Sequence, residues 1–241
     1  MADIIYSLSS APGAAAVSIV RVSGDGSLDK IYQYLNISQK KDISKIKSRY
    51  MYKTIINDSR GNPIDDAVFT WFKGPNSYTG EDVIEFFLHG SNIIIKLIYE
   101  LLDFCEFRIA KPGEFTQRGF ENGKMDLIQA EAVNNLIHAK TAAAHSQSIK
   151  NLEKRFSKKV DIIKNNLLSI SSYFEASLDY PEEEMFEIEN DLSEYKEKLE
   201  SINHELQQML KNSEKGKLIN NGIKVVLAGN TNVGKSSLFN M

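Results

Sequence analysis

From Thr116 to about Lys215 the chain carries apolar residues at helical spacing and no strand signal. Leu127, Ala130, Val133, Leu136 and Ile137 mark one helix face. Leu152, Phe156, Val160, Ile163, Leu167, Ile170 and Phe174 then step by three or four, and Leu192, Tyr195, Leu199, Ile202, Leu206 and Met209 follow a nearly heptad spacing. Pro181 and the acidic run behind it separate the last two stripes, because proline removes a helical donor and clashes with the preceding turn. A long amphipathic helix buries its stripe best against other helices, so a hundred residues of this chain are committed to a bundle.

The first 115 residues read differently. Asp3–Ser7 is extended, Ala11–Ala16 is a loop of small residues, and Val17–Val22 is a second strand ended by Ser23 and Gly24. Leu28, Ile31, Tyr32 and Leu35 predict a helix over Ser27–Leu35. Arg49–Ile56 and Ile64–Phe72 are β-rich and flank the turn cluster NDSRGNP, which predicts a hairpin. The loop Gly74–Gly80, a strand over Asp82–His89 and a helix over Ile93–Phe104 follow, and Lys111–Gly113 closes the region. The fold class is α+β: a mixed α/β domain followed by an α-helical bundle.

A third kind of sequence occupies the C-terminal end. Val225, Val226, Leu227 and Ala228 predict a short buried strand, preceded by a turn at Asn220, Asn221 and Gly222. Gly229 then opens G-x-x-x-x-G-K-S, closed by Gly234, Lys235 and Ser236. In a P-loop the glycines let backbone N–H groups curl around a phosphate, the lysine reaches the β/γ oxygens, and the serine hydroxyl faces Mg²⁺. A helix beginning near Lys235 adds its dipole to the same anion. The sequence ends at Met241, six residues after Lys235. One strand and one helical turn cannot bury a sheet core, so the P-loop is not expected to be a formed site in these residues alone. Residues after about Asn221 are expected to be disordered or irregularly docked. The expected domains are 1–117, 118–221 and 222–241.

Composition excludes some classes. A net charge of −3 does not advertise a nucleic-acid surface, and no segment reaches the ~18 apolar residues of a membrane span. The single Cys105 allows no internal disulfide, fits a reducing compartment and lies in an apolar helical run, where packing is its expected role. His89, His138, His145 and His204 have no metal-ligand spacing. A soluble cytoplasmic protein is expected.

Three polar positions stand out upstream. Strand alternation puts Arg21 on the face of Ile19 and Ser23, where it either reaches solvent or serves a site. Glu85 shares a face with Val83, Phe87 and His89, and a carboxylate there needs an ion-pair partner or a ligand. Lys124 follows Asn122 and Gly123 at a helix start, a place where a lysine is either solvated or functional.

Five motifs, in order, resemble one family: APGAAAVSIVRVSG, FKGPNSYTGEDVIEFFLHG, RIAKPGEFTQRGFENGKMDLIQAEAV, SLDYPEEE and NGIKVVLAGNTNVGKSSLFN. The family is the tRNA-modification GTPases MnmE, also called TrmE, and the motifs cover nearly the whole chain. The resemblance implies an N-terminal folate-binding domain that pairs into a homodimer, and a helical domain carrying an inserted Ras-like α/β G domain. It implies addition of an aminomethyl- or carboxymethylaminomethyl-type group at C5 of the wobble uridine in tRNA, together with an MnmG-type flavoprotein in a heterotetramer. The one-carbon donor would be 5-formyl- or 5,10-methylene-tetrahydrofolate, and the partner would bring FAD and NADH.

Carried over residue by residue, the folate contacts fall on Arg21, Glu85 and Lys124. The GTP contacts fall on Asn232, Val233, Gly234, Lys235, Ser236 and Ser237, with K⁺ at Asn232 and Mg²⁺ at Ser236. The switch segments, the D-x-x-G and N-K-x-D loops and the closing C-x-G-K motif are not found after the P-loop. This chain is therefore expected to be the N-terminal portion of such a GTPase, cut just after the P-loop. It would bind folate and dimerise, with no catalytic residue of its own and no GTP hydrolysis. Two alternatives are a folate-binding and dimerisation module without turnover, and another P-loop GTPase such as a ribosome-assembly factor.

Overall fold

The structure is a computed structural model that describes residues 3–37, 42–179, 185–221, 226–230 and 233–239. It divides into two compact units, Met1–Ala130 and Glu131–Met241.

The first unit is built on a seven-stranded sheet of β1 (Ile5–Leu8), β2 (Ala15–Ser23), β3 (Leu35–Ile37), β4 (Met51–Asn57), β5 (Pro63–Phe72), β6 (Val83–Gly90) and β7 (Arg108–Ile109). Their spatial order is β3-β4-β5-β6-β2-β1-β7; only the β1–β7 pairing is parallel. Alternation fixes the two faces. Tyr6, Val20, Val22, Phe69, Ile84, Phe86 and Leu88 point into the core, which also takes Leu28 and Ile31 of α1 (Ser27–Ile31) and Ile98, Leu101 and Leu102 of α2 (Asn92–Phe104). Cys105 packs against this core, and burial pushes its thiol up to about 11, the state of an inert packing group. Tyr6, fully buried, donates its hydroxyl to Asp103 at 2.5 Å, tying β1 to α2.

The sequence expectation of one helix over Ser27–Leu35 is corrected. After α1 a 3₁₀ turn spans Tyr32–Tyr34 and Leu35 opens β3, whose Leu35 and Ile37 are buried around an exposed Asn36. Pairing with β4 outweighs the local helical spacing. Strand β7 was not expected; two residues are too few to carry a periodicity.

Helix α3 (Glu114–Glu121) stands with the sheet, and the division between units falls within α4 (Leu127–Ile137), beyond the expected boundary at 117. The reason is electrostatic. Arg118 of α3 donates to the Asp3 carbonyl at 2.8 Å, the Asp3 carboxylate at 2.8 Å, Glu81 at 3.0 and 3.1 Å, and Glu114 at 3.2 Å. Arg108 of β7 completes the cluster with ion pairs to Asp3 and Glu114. Five charged groups thus join the N-terminal residues, the loop before β6, β7 and α3.

The second unit contains α5 (Ala142–Leu152), α6 (Arg155–Asp179) and α7 (Met185–Asn221). Ile163 and Ile170 of α6 are buried with Ile202 of α7, and Tyr195 and Met209 pack against them. Phe156, Val160, Leu167, Phe174, Leu199 and Leu206 from the same two stripes stay about 40% exposed. Helix α7 runs through Asn220 and Asn221, which corrects the turn expected there. The break expected at Pro181 lies outside the described residues.

A third correction concerns the expected strand before the P-loop. Val226–Gly229 forms no strand, Val226 is 84% exposed and Leu227 41%. A strand is held by its neighbours' hydrogen bonds, and none of the described strands pairs with this segment. Val225 lies outside the described residues. Helix α8 (Lys235–Phe239) follows.

Candidate functional site

Two of the candidate residues lie on the sheet face opposite the core. Register places Arg21 of β2 directly across from Glu85 of β6, with Thr70 on the far side of Glu85 and Ser7 on the far side of Arg21. Arg21 Nε donates to Glu85 Oε1 at 2.8 Å, and Nη2 stands 2.7 Å from the same oxygen. The side chains are 26% and 17% exposed, so the pair is half-buried rather than solvated. The Arg21 charge is turned onto Glu85 while a quarter of its side chain meets solvent. Among the described residues Glu85 Oε2 accepts no hydrogen bond and Arg21 Nη1 donates none. The pair therefore keeps one acceptor and one donor group with capacity to spare.

Two further segments flank the pair. The Arg21 guanidinium lies 5.3 Å from the ring centroid of Tyr78, in the loop before β6, and 5.7 Å from that of Phe115, on α3. The Tyr78 and Thr116 hydroxyls meet at 2.9 Å, joining loop to helix. Asn122 Nδ2 donates to the Thr79 carbonyl at 2.7 Å, which docks the end of α3 on the same loop. Ser23 Oγ is bonded to Thr79 Oγ1 at 2.7 Å and donates to Glu81 at 2.8 Å, linking the loop to the end of β2 and to the Arg118 cluster.

Lys124 is exposed and lies against this loop. A Cβ on Gly80 would stand 3.3 Å from Lys124 Cε and 2.9 Å from Asn122 Cβ, and Gly80 has φ +84°. Both conformation and space require glycine here. Gly80→Ala is expected to cost about 1–3 kcal/mol and to displace Lys124. Urea denaturation with chemical-shift mapping checks this; an unchanged midpoint with unshifted Lys124 signals would contradict the packing described.

Thus the structure places Arg21 and Glu85 in contact, and Lys124, which follows α3, against the loop before β6. Tyr78, Phe115, Glu81 and Arg118 were not singled out from the sequence. For Arg118 a signal existed, since Glu114 and Arg118 are four residues apart on a helix. The aromatic walls lie in different elements, and no spacing rule joins them. On the same face, His89 Nδ1 lies 2.7 Å from Asp65 Oδ1, and this hydrogen bond raises the imidazole above its ordinary value. Any stability this pair adds is present below the unfolded-state pKa and is lost as pH rises through the folded one. No group of three or more His, Cys, Asp or Glu among the described residues is placed to hold a metal ion.

At the P-loop, Gly234 has φ +86° and Lys235 Nζ donates to the Gly229 and Asn230 carbonyls, at 2.9 and 2.5 Å. The lysine is folded onto the start of its own loop. Ser236 and Ser237 are exposed in the first turn of α8, while Val233 and Leu238 beside them are more than 60% exposed. Asn232, expected to hold K⁺, lies outside the described residues.

Two family descriptions match the chain: GTP-binding protein TrmE N-terminus over residues 4–124, and MnmE helical domain over residues 127–237. The chain belongs to the MnmE (TrmE) family. Relatives named tRNA modification GTPase MnmE include those of Aquifex aeolicus, 38% identical over 242 residues, and Clostridioides difficile, 38% identical over 239 residues. The protein of Carboxydothermus hydrogenoformans is 36% identical over 241 residues. These alignments cover 99–100% of this chain and 51–52% of each relative, so the chain spans about half the length of the MnmE proteins it matches. Among the described residues no helix is long and apolar enough to cross a membrane.

Proposed function

We propose that this chain is the N-terminal portion of a tRNA-modification GTPase whose first unit binds a tetrahydrofolate. The observation that carries the reading is the half-buried Arg21–Glu85 pair, with Glu85 Oε2 and Arg21 Nη1 unengaged and two aromatic rings alongside. A pterin presents an amide-like edge and amino donors, which suit a carboxylate oxygen beside a guanidinium N–H. Lys124, exposed beside the loop before β6, suits the electronegative groups of a substituted folate. The donor set fits 5-formyl- or 5,10-methylene-tetrahydrofolate, which would supply a one-carbon unit for C5 of the wobble uridine. In the same proposal the first unit pairs into a homodimer, and an MnmG-type flavoprotein brings FAD and NADH to a cytoplasmic heterotetramer acting on tRNA.

For GTP, Val233, Gly234, Lys235, Ser236 and Ser237 would form the phosphate cradle, with Mg²⁺ at Ser236 and K⁺ at Asn232. Lys235 would have to exchange its two carbonyl partners for phosphate oxygens. The exposed apolar residues on both sides of the loop indicate that it needs further packing to be braced. The 241 residues alone are therefore expected to show no K⁺-stimulated GTP hydrolysis.

Titration of the chain with 5-formyltetrahydrofolate tests the folate reading, with p-aminobenzoylglutamate as the control that lacks the pterin. Saturable binding of the first and not the second is expected. No binding of either would overturn the folate reading.

A further inference from the structure

We infer that Tyr78 is a positioning residue of the proposed folate site, holding the Arg21 guanidinium in place through the face of its ring; the inference rests on the folate reading for its ligand. Arg21 is a long side chain with most of its rotamer freedom intact unless something confines it. Its ion pair uses a single carboxylate oxygen, so Glu85 alone does not fix the plane of the guanidinium as a two-oxygen fork would. The remaining constraint comes from the rings of Tyr78 and Phe115, 5.3 and 5.7 Å from Cζ, both within the distance at which a cation is attracted to an aromatic face.

Tyr78 is itself held from several directions. Its hydroxyl meets Thr116 at 2.9 Å, and its carbonyl lies where a Cβ on Gly119 would approach to 2.8 Å. On either side of it, Ser77 Oγ donates to the Glu81 carbonyl at 2.5 Å and the Thr79 carbonyl accepts from Asn122 at 2.7 Å. Two residues on, Gly80 makes room for Lys124. One loop therefore sets Arg21 with its ring and seats Lys124 with its backbone, although the two cations come from different elements.

The test uses the full 241-residue chain and compares wild type with Tyr78→Phe, which keeps the ring, and Tyr78→Leu, which keeps bulk without a π face. Calorimetric titration with 5-formyltetrahydrofolate is expected to give Tyr78→Phe within about twofold of wild type and Tyr78→Leu about 5–10-fold weaker. Equal affinity in Tyr78→Leu, or equal loss in both variants, would overturn the positioning role. If Tyr78→Leu does not fold, Phe115→Leu acts on the same guanidinium from the other ring and is expected to weaken binding in the same way; unchanged affinity there overturns the role. The Arg21 Nε–H resonance of the ligand-free chain separates this inference from the folate reading. It should shift in Tyr78→Leu and hold in Tyr78→Phe whether or not wild type binds folate, and an unmoved resonance in Tyr78→Leu counts against the ring.

Discussion

Arg118→Met is expected to destabilise the first unit by about 3–5 kcal/mol, the cost of removing one partner from a buried ion cluster. Arg118 is 8% exposed and is the only one of the five clustered groups that touches all three carboxylates, those of Asp3, Glu81 and Glu114. Without it, among the described residues, Arg108 is the one cation facing the Asp3 and Glu114 carboxylates, and Glu81 keeps only the Ser23 hydroxyl. Thermal denaturation should show a loss on the order of 10 °C. Adding Glu81→Gln and Glu114→Gln to Arg118→Met should restore part of it, because the penalty is an uncompensated buried charge. A shift below 2 °C in the single variant would contradict the description of the cluster as a clamp.

The same cluster sets an acid limit. Arg108 foremost, with the Lys111 N–H and Arg118, holds the Glu114 carboxyl down at about 2, against an ordinary 4.5. A depressed carboxyl contributes its stability in full above the unfolded pKa and loses it as pH falls through the folded one. The first unit should therefore weaken between about pH 4.5 and 2, and Glu114→Gln should flatten that part of the curve.

The second large effect is on binding. Glu85→Gln should weaken 5-formyltetrahydrofolate about 10–100-fold, since it replaces a charge-assisted acceptor by a neutral one that also presents an unwanted donor. Stability should change by less than about 1 kcal/mol, because the Arg21–Glu85 pair is only half-buried. This contrast with Arg118 separates the two polar clusters: one holds the fold, the other is held by it.

The sheet was largely legible because its strands alternate cleanly. VSIVRV and DVIEFF each put a charge at the position alternation assigns to the face away from α1 and α2, and the register then joins Arg21 to Glu85. Strands β3 and β7 were not legible, since three and two residues carry no period and exist only through β4 and β1. The strand expected at Val225–Ala228 failed for the converse reason: its described part has the residues of a strand and no neighbour to pair with. Within the site the charges could be picked out by their cost at apolar positions, whereas Tyr78 and Phe115 look like ordinary aromatic residues until a loop and a helix bring them over Arg21. In the second unit the stripes were legible, and the 39–42% exposure of Phe156, Phe174 and Leu206 reflects two long helices that bury only part of what they present.

The central claim is that the chemistry available to this chain lies at Arg21 and Glu85 and not at Lys235. One calorimetric comparison tests it most directly: wild type, Glu85→Gln and Lys235→Ala titrated with 5-formyltetrahydrofolate under identical conditions. The account predicts saturable binding by wild type and Lys235→Ala alike, and a loss of at least tenfold in Glu85→Gln at unchanged melting temperature. Equal affinity in wild type and Glu85→Gln would contradict it.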